Sequence, residues 1–405
     1  MTCEHDHVMA TDTRAQTARL SAVLREGERV MPLELFFDLV FVLALTQCTS
    51  LMSQDPSWSG LAQGILVLGV LWWSWVGYAW LTSVVDPEEG AVRIAMFAAM
   101  AAFLIVAISV PEAFDSLALE FALAYGALRG AHIALFVLAS RDDAALRSSV
   151  IGLGISTAIG VGLLVGASFL DGLGQGALWV VALALDMAGP YFFGSEGWRL
   201  EPGHFAERHG LIIIIALGES IVALGVGAEA QLGVGIAAAA VLGIALAAAL
   251  WWIYFDVVAL VSRVRLARAA EGRERNEMAR DSYSYLHFPM VAGIVLVALG
   301  LKKTLGHVDD PLETVPAFAL LGGIASYLLG HVAFRLRNVR TLNRQRLALA
   351  LLMFALLPLA VDVSALASLA LVTTLLWLMI TYETISYGEA RDRVRHQTAG
   401  EPRSG

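Results

Sequence analysis

Apolar residues in this 405-residue chain run in long blocks parted by short polar stretches. Twelve blocks stand out, at about 32–53, 58–83, 90–111, 117–140, 145–170, 175–195, 205–227, 231–261, 282–303, 314–335, 345–361 and 364–387. A helix crosses the hydrocarbon layer with about 20 residues, so each block predicts one crossing. The eleventh is the shortest, which predicts a tilted or locally thin crossing. The expected fold is all-α, a polytopic helical membrane bundle of about twelve transmembrane helices.

Composition agrees. Hydrophobic residues make up 58% of the chain and charged ones 16%, where soluble domains carry about 25% charged residues. Mean hydropathy is +0.70. The partner implied is the lipid bilayer. A net charge of −9 adds little, because charge gathers in loops and tails. The only lysines are Lys302 and Lys303, and nothing points to a nucleic-acid partner.

The two ends are polar. Residues 1–30 carry Arg14, Arg19, Arg25 and Arg29 without an apolar core, so they are not a cleavable signal peptide. They are expected to form a disordered cytoplasmic tail. Its Cys3-Glu4-His5-Asp6-His7 run could take a metal adventitiously, but no second ligand cluster follows, and no metal site is assigned. Cys48 has no plausible disulfide partner and reads as a structural thiol. Residues 389–405 form a second cytoplasmic tail, with Arg391, Arg393 and Arg395.

Arginine placement sets the orientation. The connection after the eighth block holds Arg263, Arg265, Arg268, Arg273, Arg275 and Arg280, and the one after the tenth holds Arg335, Arg337, Arg340, Arg344 and Arg346. Arg141 and Arg147 follow the fourth. Connections after odd-numbered blocks hold almost no cations besides Lys302 and Lys303. Positive residues stay on the cytoplasmic side. Both termini are therefore expected in the cytoplasm. Residues 262–280 are expected to lie along the inner surface, as an amphipathic segment or a solvated loop.

Marks recur at similar distances. Glu34 and Glu207 open blocks one and seven, Trp72-Trp73 recurs as Trp251-Trp252, and His132 recurs as His331. This predicts two parallel six-helix repeats, at 31–195 and 204–388, related by an axis along the membrane normal. Gly162 and Gly166 predict a close helix contact in the fifth segment.

Charge inside the membrane is the main functional signal. An ionisable side chain in hydrocarbon costs several kcal/mol, so it normally faces a partner or water. Glu34 and Asp38 are four apart and share a helical face. Tyr125, Arg129 and His132 share another, as do Tyr327, His331 and Arg335. Arg208 and Glu219 are eleven residues apart, about 16 Å along the axis, with Ile212 and Ile215 between them on one stripe. Asp186 precedes a Gly189-Pro190 pair that predicts a kink. The candidate route residues are Glu34, Asp38, Arg129, His132, Asp186, Glu207, Arg208, His209, Glu219, Ser220, His287 and His331. Two readings compete: a polar pathway for ions or protons, or static ion pairs that orient the helices. Glu34 and Arg208, near the interface, fit the static reading, with room to snorkel. The tryptophans of blocks two and eight read as packing or interfacial belt residues.

No His-Glu-x-x-His, Gly-x-Ser-x-Gly, P-loop or Cys-x-x-Cys motif is present. No enzymatic activity and no cofactor are expected.

Three stretches resemble a known family: Pro32-Leu-Glu-Leu-Phe-Phe-Asp-Leu-Val-Phe-Val42, the run from Glu207 through Glu219-Ser220 to Ala223, and Leu286-His-Phe-Pro-Met-Val-Ala-Gly-Ile-Val295. They look like the bacterial low temperature requirement A (LtrA) family. That resemblance covers about 30–390 and implies an integral membrane protein linked to growth at low temperature. It supplies no site residues. The shorter Phe37-Asp38-x-Val40-Phe41 stretch is similar to the Phe-Ser-Asp signature of a lysosomal and prokaryotic potassium-channel family, with Phe37 in place of the serine. That likeness implies that the first helix lines a pore.

The leading expectation is a transporter or channel for a small ion or solute, with the first and seventh helices lining the route. The alternative is a non-transporting membrane scaffold, sensor or assembly factor. A membrane-embedded enzyme is a third option.

Overall fold

The computed structural model describes residues 28–399 apart from 89, 193–196, 228–232 and 257; side chains are described as far as residue 388. The metal-binding reading of Cys3 to His7 lies outside the described residues, as does most of the N-terminal tail.

Backbone amides inside a bilayer find no water, so the apolar blocks close their hydrogen bonds within helices. The helices are α1 (Pro32–Gln54), α2 (Trp58–Val84), α3 (Gly90–Ser109), α4 (Ala118–Ala139), α5 (Ala144–Ala167), α6 (Gly172–Phe192), α7 (Pro202–Gly227), α8 (Val234–Phe255), α9 (Val258–Arg268), α10 (Arg273–Met278), α11 (Phe288–Gly306), α12 (Thr314–Val339), α13 (Arg344–Ala355), α14 (Leu357–Ala360) and α15 (Ala365–Ala399). Local chemistry sets several starts. Pro32 sits where an amide proton has no partner, and the Met31 amide donates to Glu34 Oε2 at 2.7 Å. The Ser57, Asp143 and Asn343 side chains cap α2, α5 and α13. Between α10 and α11, residues Ala279–Tyr285 form a wide turn in which the Leu286 amide reaches back to the Asp281 carbonyl at 3.1 Å.

Among the described residues, eleven helices are long and apolar enough to cross a membrane. The expected eleventh crossing is divided. α13 is only 12 residues long; Leu356 interrupts the helix, and Pro358 stands in the first turn of the short α14 that follows. The path still spans the bundle. α15 begins beside the α11–α12 connection, where the Ala365 amide donates to the Asp310 carbonyl at 2.8 Å. α13 begins at the opposite end of α12. The 344–360 stretch therefore runs the length of α12 in two pieces. With an even number of passes, the described chain starts and finishes on one face. Arginine-bearing connections meet on that face. Arg263 pairs with Glu28 at 2.7 Å just ahead of α1, and Arg337 with Asp281 at 3.1 Å.

The outer surface is apolar, with Leu39, Ile94 and Val241 each more than half exposed. Water would disfavour such a surface; lipid does not. α1 packs on α2 and α3, α3 on α4, α4 on α5, α5 on α6, and α2 closes on α6. In the second half α7 packs on α8 and α11, α11 on α12, α12 on α13, α13 on α15, and α8 closes on α15. The order of packing is the same. The halves meet chiefly where α1 and α2 touch α7 and α11.

One expectation is corrected. Nothing lies within 4 Å of where a Cβ on Gly162 would stand, and Gly166 meets only a leucine methyl at 3.8 Å. The close approach is instead between α11 and α12, where a Cβ on Gly293 would lie 2.5 Å from the Gly323 carbonyl oxygen. Pro190 lies inside the last turn of α6, which continues to Phe192. A proline in the last turn removes one hydrogen bond near an end that already lacks partners.

Gly293→Ala should therefore destabilise the detergent-solubilised protein by roughly 1–3 kcal/mol through overpacking. Gly162→Ala should be neutral or gain up to about 1 kcal/mol from helix propensity. Thermal unfolding of both variants checks the contrast.

Candidate functional site

The seam between α1 and α7 holds the densest charge in the core. Glu34 and Asp38 face His204 and Arg208, each pair one helical turn apart. Arg208 Nη1 lies 3.3 Å from Glu34 Oε1, and Nη2 lies 2.9 Å from Asp38 Oδ1. His204 Nε2 lies 2.8 Å from Glu34 Oε1. From α2, the Trp75 indole donates to Asp38 Oδ1 at 2.9 Å, and its ring lies under the guanidinium at 5.5 Å. All four ionisable groups are at most 1% exposed. Arg208 and Glu34 therefore do not snorkel; they are held between helices. One guanidinium serves two carboxylates in a medium that cannot replace it.

Deeper along the same seam, Thr46 Oγ1 donates to Glu219 Oε2 at 2.5 Å. The three cross-seam contacts join residues 170, 170 and 173 apart, ascending together on both helices. α1 and α7 thus run parallel, as five intervening crossings require. Glu219 is buried with a hydroxyl partner and no ion pair among the described residues. The Ser220 hydroxyl is buried with no hydrogen bond among them. Glu207 is turned about a quarter of the way round α7 from the seam and is exposed at the bundle surface. It is not placed with the other candidates, and its environment does not match that of buried Glu34.

A second cluster ties α4, α5 and α6 together. Arg129 Nη2 lies 3.0 Å from Asp186 Oδ1 and 2.8 Å from Thr157 Oγ1. Thr157 donates to the same oxygen of Asp186 at 2.9 Å, and Tyr125 donates to Oδ2 at 2.9 Å. Gly77 on α2 makes room: a Cβ there would stand 2.8 Å from Arg129 Nη1 and 2.9 Å from the His132 ring. His132 is fully buried beside this pair, and neither ring nitrogen has a hydrogen-bond partner among the described residues. Arg129 and His132 line a cavity of about 60 Å³ walled by Trp73, Trp80 and Trp198.

The second half has its own pair. Arg346 on α13 donates from Nε and Nη2 to the two oxygens of Glu383 on α15, at 3.1 and 2.9 Å. Asn343 donates to the same carboxylate at 2.9 Å. Beside them, α8, α9, α12, α13 and α15 enclose a cavity of about 290 Å³ lined by His331. A row of rings leads inward from it. Tyr254 lies against His331, with ring centres 5.8 Å apart, and its hydroxyl meets His287 Nε2 at 2.9 Å. His287 in turn lies 5.2 Å from His209, which packs on Trp75.

The candidates thus fall into three groups: Glu34, Asp38, Arg208, Glu219 and Ser220 on the seam; Arg129, His132 and Asp186 in the first half; and His209, His287 and His331 along the row of rings. His204, Trp75, Thr46, Thr157, Arg346 and Glu383 complete these groups and were not among them. Two had a legible signal. His204 stands one turn before Arg208, as Glu34 stands one turn before Asp38. Glu383 is an acid within the last apolar block, the same signal that singles out Glu219. Among the described residues, no group of His, Cys, Asp and Glu is arranged to hold a metal ion.

Arg129→Met should cost roughly 3–5 kcal/mol, because it leaves a buried carboxylate without its counter-charge. Arg129→Met with Asp186→Leu should recover much of that loss. Unfolding of the two variants in detergent, against the parent, measures both.

Comparison with known proteins agrees with this architecture. The family described as bacterial low temperature requirement A protein (LtrA) matches residues 29–381. The chain is 30% identical over 368 residues to an uncharacterized protein of Rhizobium meliloti (strain 1021), covering 85% of this chain and 87% of that one. No solved structure matches. A match over nearly all of the bundle, including the motifs that build the α1–α7 seam, makes this chain a member of the bacterial LtrA family of integral membrane proteins.

Proposed function

We propose that this protein moves a small ion or solute across the bacterial inner membrane, with the α1–α7 seam as the route and both termini cytoplasmic. The observation that carries this reading is Glu219. It is an acid buried inside an apolar bundle, held by a hydroxyl and by no ion pair among the described residues. A structural ion pair needs both charges in contact; a deep carboxyl held by the Thr46 and Thr49 hydroxyls, with Lys302 acting on it only from a distance, suits exchange of a proton or cation with a passing solute. It lies on the same seam as a second polar tier, Glu34, Asp38 and Arg208, with Ile212 and Ile215 between them on α7. Two polar tiers separated by an apolar one are the arrangement of a route closed at its middle. The like order of packing in the two halves supports two six-helix repeats related by duplication, with α1 and α7 as equivalent first helices. No chemical conversion of a substrate is part of this reading. Arginines gathered at one end support that end as cytoplasmic.

A static role is favoured by one observation: at the arginine-bearing end of the seam, Arg208 is engaged by both carboxylates. On that reading the charges fasten α1 to α7 in a scaffold, sensor or assembly factor.

Flux through reconstituted liposomes separates the two. With protons, sodium, potassium and small organic solutes tested in turn, the transport reading expects saturable or gradient-driven movement of at least one. It expects Glu219→Gln to reduce that movement about tenfold or more, the scale of one charge-assisted hydrogen bond, with unfolding temperature unchanged. No flux of any species by the parent protein would favour the static role. Flux unaffected by Glu219→Gln and Asp38→Asn would remove the seam as the route.

A further inference from the structure

The α12–α13 connection carries positive charge that its surroundings neutralise only in part. Residues 335–346 hold five arginines, and no acid stands between Glu313 and Asp362. Two of the five are committed, Arg337 to Asp281 at 3.1 Å and Arg346 to Glu383 at 2.9 Å. Arg335, Arg340 and Arg344 are exposed, and none has an ion pair among the described residues. Arg335 acts on Glu383 only from a distance; its Nε donates to the Thr341 hydroxyl at 3.0 Å, which draws the side chain over the connection. Three guanidinium groups thus stand together on one short turn, with donors left for an anion.

Two of these arginines stand where local preference is against them. Arg340 caps the C-terminus of α12 at φ 58, the one non-glycine residue with positive φ among the described residues. Glycine is usual at such a cap, and a side chain there costs energy. Arg344 opens α13, whose first turn contains no acid. The partial positive charge of a helix start favours a carboxylate and disfavours an arginine. An anion held by both side chains offsets both costs. Leu336 and Leu342 flank the three arginines and are 50% and 47% exposed. Exposed leucines beside cations, at the end of a membrane-crossing helix, match the boundary between headgroups and acyl chains. A soluble anion makes no use of them; a lipid does.

We propose that the α12–α13 connection binds the headgroup of an anionic phospholipid of the phosphatidylglycerol type, in the leaflet at the arginine-bearing end. Arg335, Arg340 and Arg344 face the phosphodiester, and Leu336 and Leu342 pack on the glycerol and the upper acyl chain. The connection between α4 and α5 does not repeat the site, because Arg141 is followed there by Asp142 and Asp143. One site per chain is expected.

The test uses the full-length protein in a neutral detergent. It is titrated with phosphatidylglycerol or with phosphatidylcholine of the same acyl chains, and bound lipid is counted by native mass spectrometry. Phosphatidylglycerol is expected to be retained more tightly, at one site, and inorganic phosphate in large excess is expected not to displace it. Each arginine near an anionic surface contributes about fivefold to binding. Arg340→Gly with Arg344→Gln should therefore weaken retention roughly twentyfold. Its unfolding temperature without added lipid should hold or rise, because glycine adopts φ 58 without strain. Arg93→Gln with Arg265→Gln removes two exposed arginines from elsewhere and should leave the affinity as in the parent. Equal retention of the two lipids, displacement by inorganic phosphate, parent-like affinity in the folded Arg340→Gly/Arg344→Gln variant, or an equal loss in Arg93→Gln/Arg265→Gln would each overturn the site. Lipid retention is read without any flux, so this site and the α1–α7 route stand or fail separately.

Discussion

Arg208 is one guanidinium between two carboxylates, all three buried between α1 and α7 in this structure. Its two terminal nitrogens reach Glu34 and Asp38 on the neighbouring helix at 3.3 and 2.9 Å. Buried charges of this kind rarely add net stability over apolar packing, but removing one partner is costly, so they impose register. Here they fix α1 against α7 at one end, and Thr46 with Glu219 fixes the same pair about three turns farther along. Trp75 brings in α2, and the ring of His209 packs on Trp75 from α7. The halves of the protein are thereby joined through polar contacts that tolerate no slip.

Around that seam the two halves pack their passes in the same order. In each half the second, fourth, fifth and sixth passes surround a cavity at the arginine-bearing end, with a buried histidine from the fourth pass in its wall. A buried arginine–carboxylate pair ties the last pass to its neighbours, Arg129 with Asp186 in one half and Arg346 with Glu383 in the other. The halves differ in what they leave open. Trp73, Trp80 and Trp198 wall the first cavity, with Arg129 and Arg280, while the second is larger and is lined by charges of both signs.

The helical membrane class was legible because apolar blocks of about 20 residues have few other fates. Shared faces were legible too: Glu34 with Asp38, and Arg129 with Tyr125, follow from helical spacing alone. Partners across helices were not, since His204 and Glu34 are 170 residues apart and spacing carries no information at that range. Arg346 looked like one more loop cation because it closes an arginine-rich connection; only the turn into α13 carries it inward to Glu383. Gly162 and Gly166 looked like a contact face, but small residues permit close packing without requiring it. Gly293 and Gly323 meet because α11 and α12 are surrounded on all sides, whereas α5 turns part of its surface to lipid. The broken crossing at 344–360 was foreshadowed by its length, and its break by Pro358.

The claim on which the functional account turns is that the α1–α7 seam opens to water. Cysteine accessibility tests it directly. Thr46→Cys and Ser220→Cys, each in a C3S/C48A background and reconstituted in liposomes, are exposed to a small charged thiol reagent. Asp309→Cys, on an exposed connection, is the positive control. The account predicts that both seam cysteines react, more slowly than the control. Both remaining inert while Asp309→Cys is modified to completion would contradict it, and the charges of the seam would then be fasteners between helices.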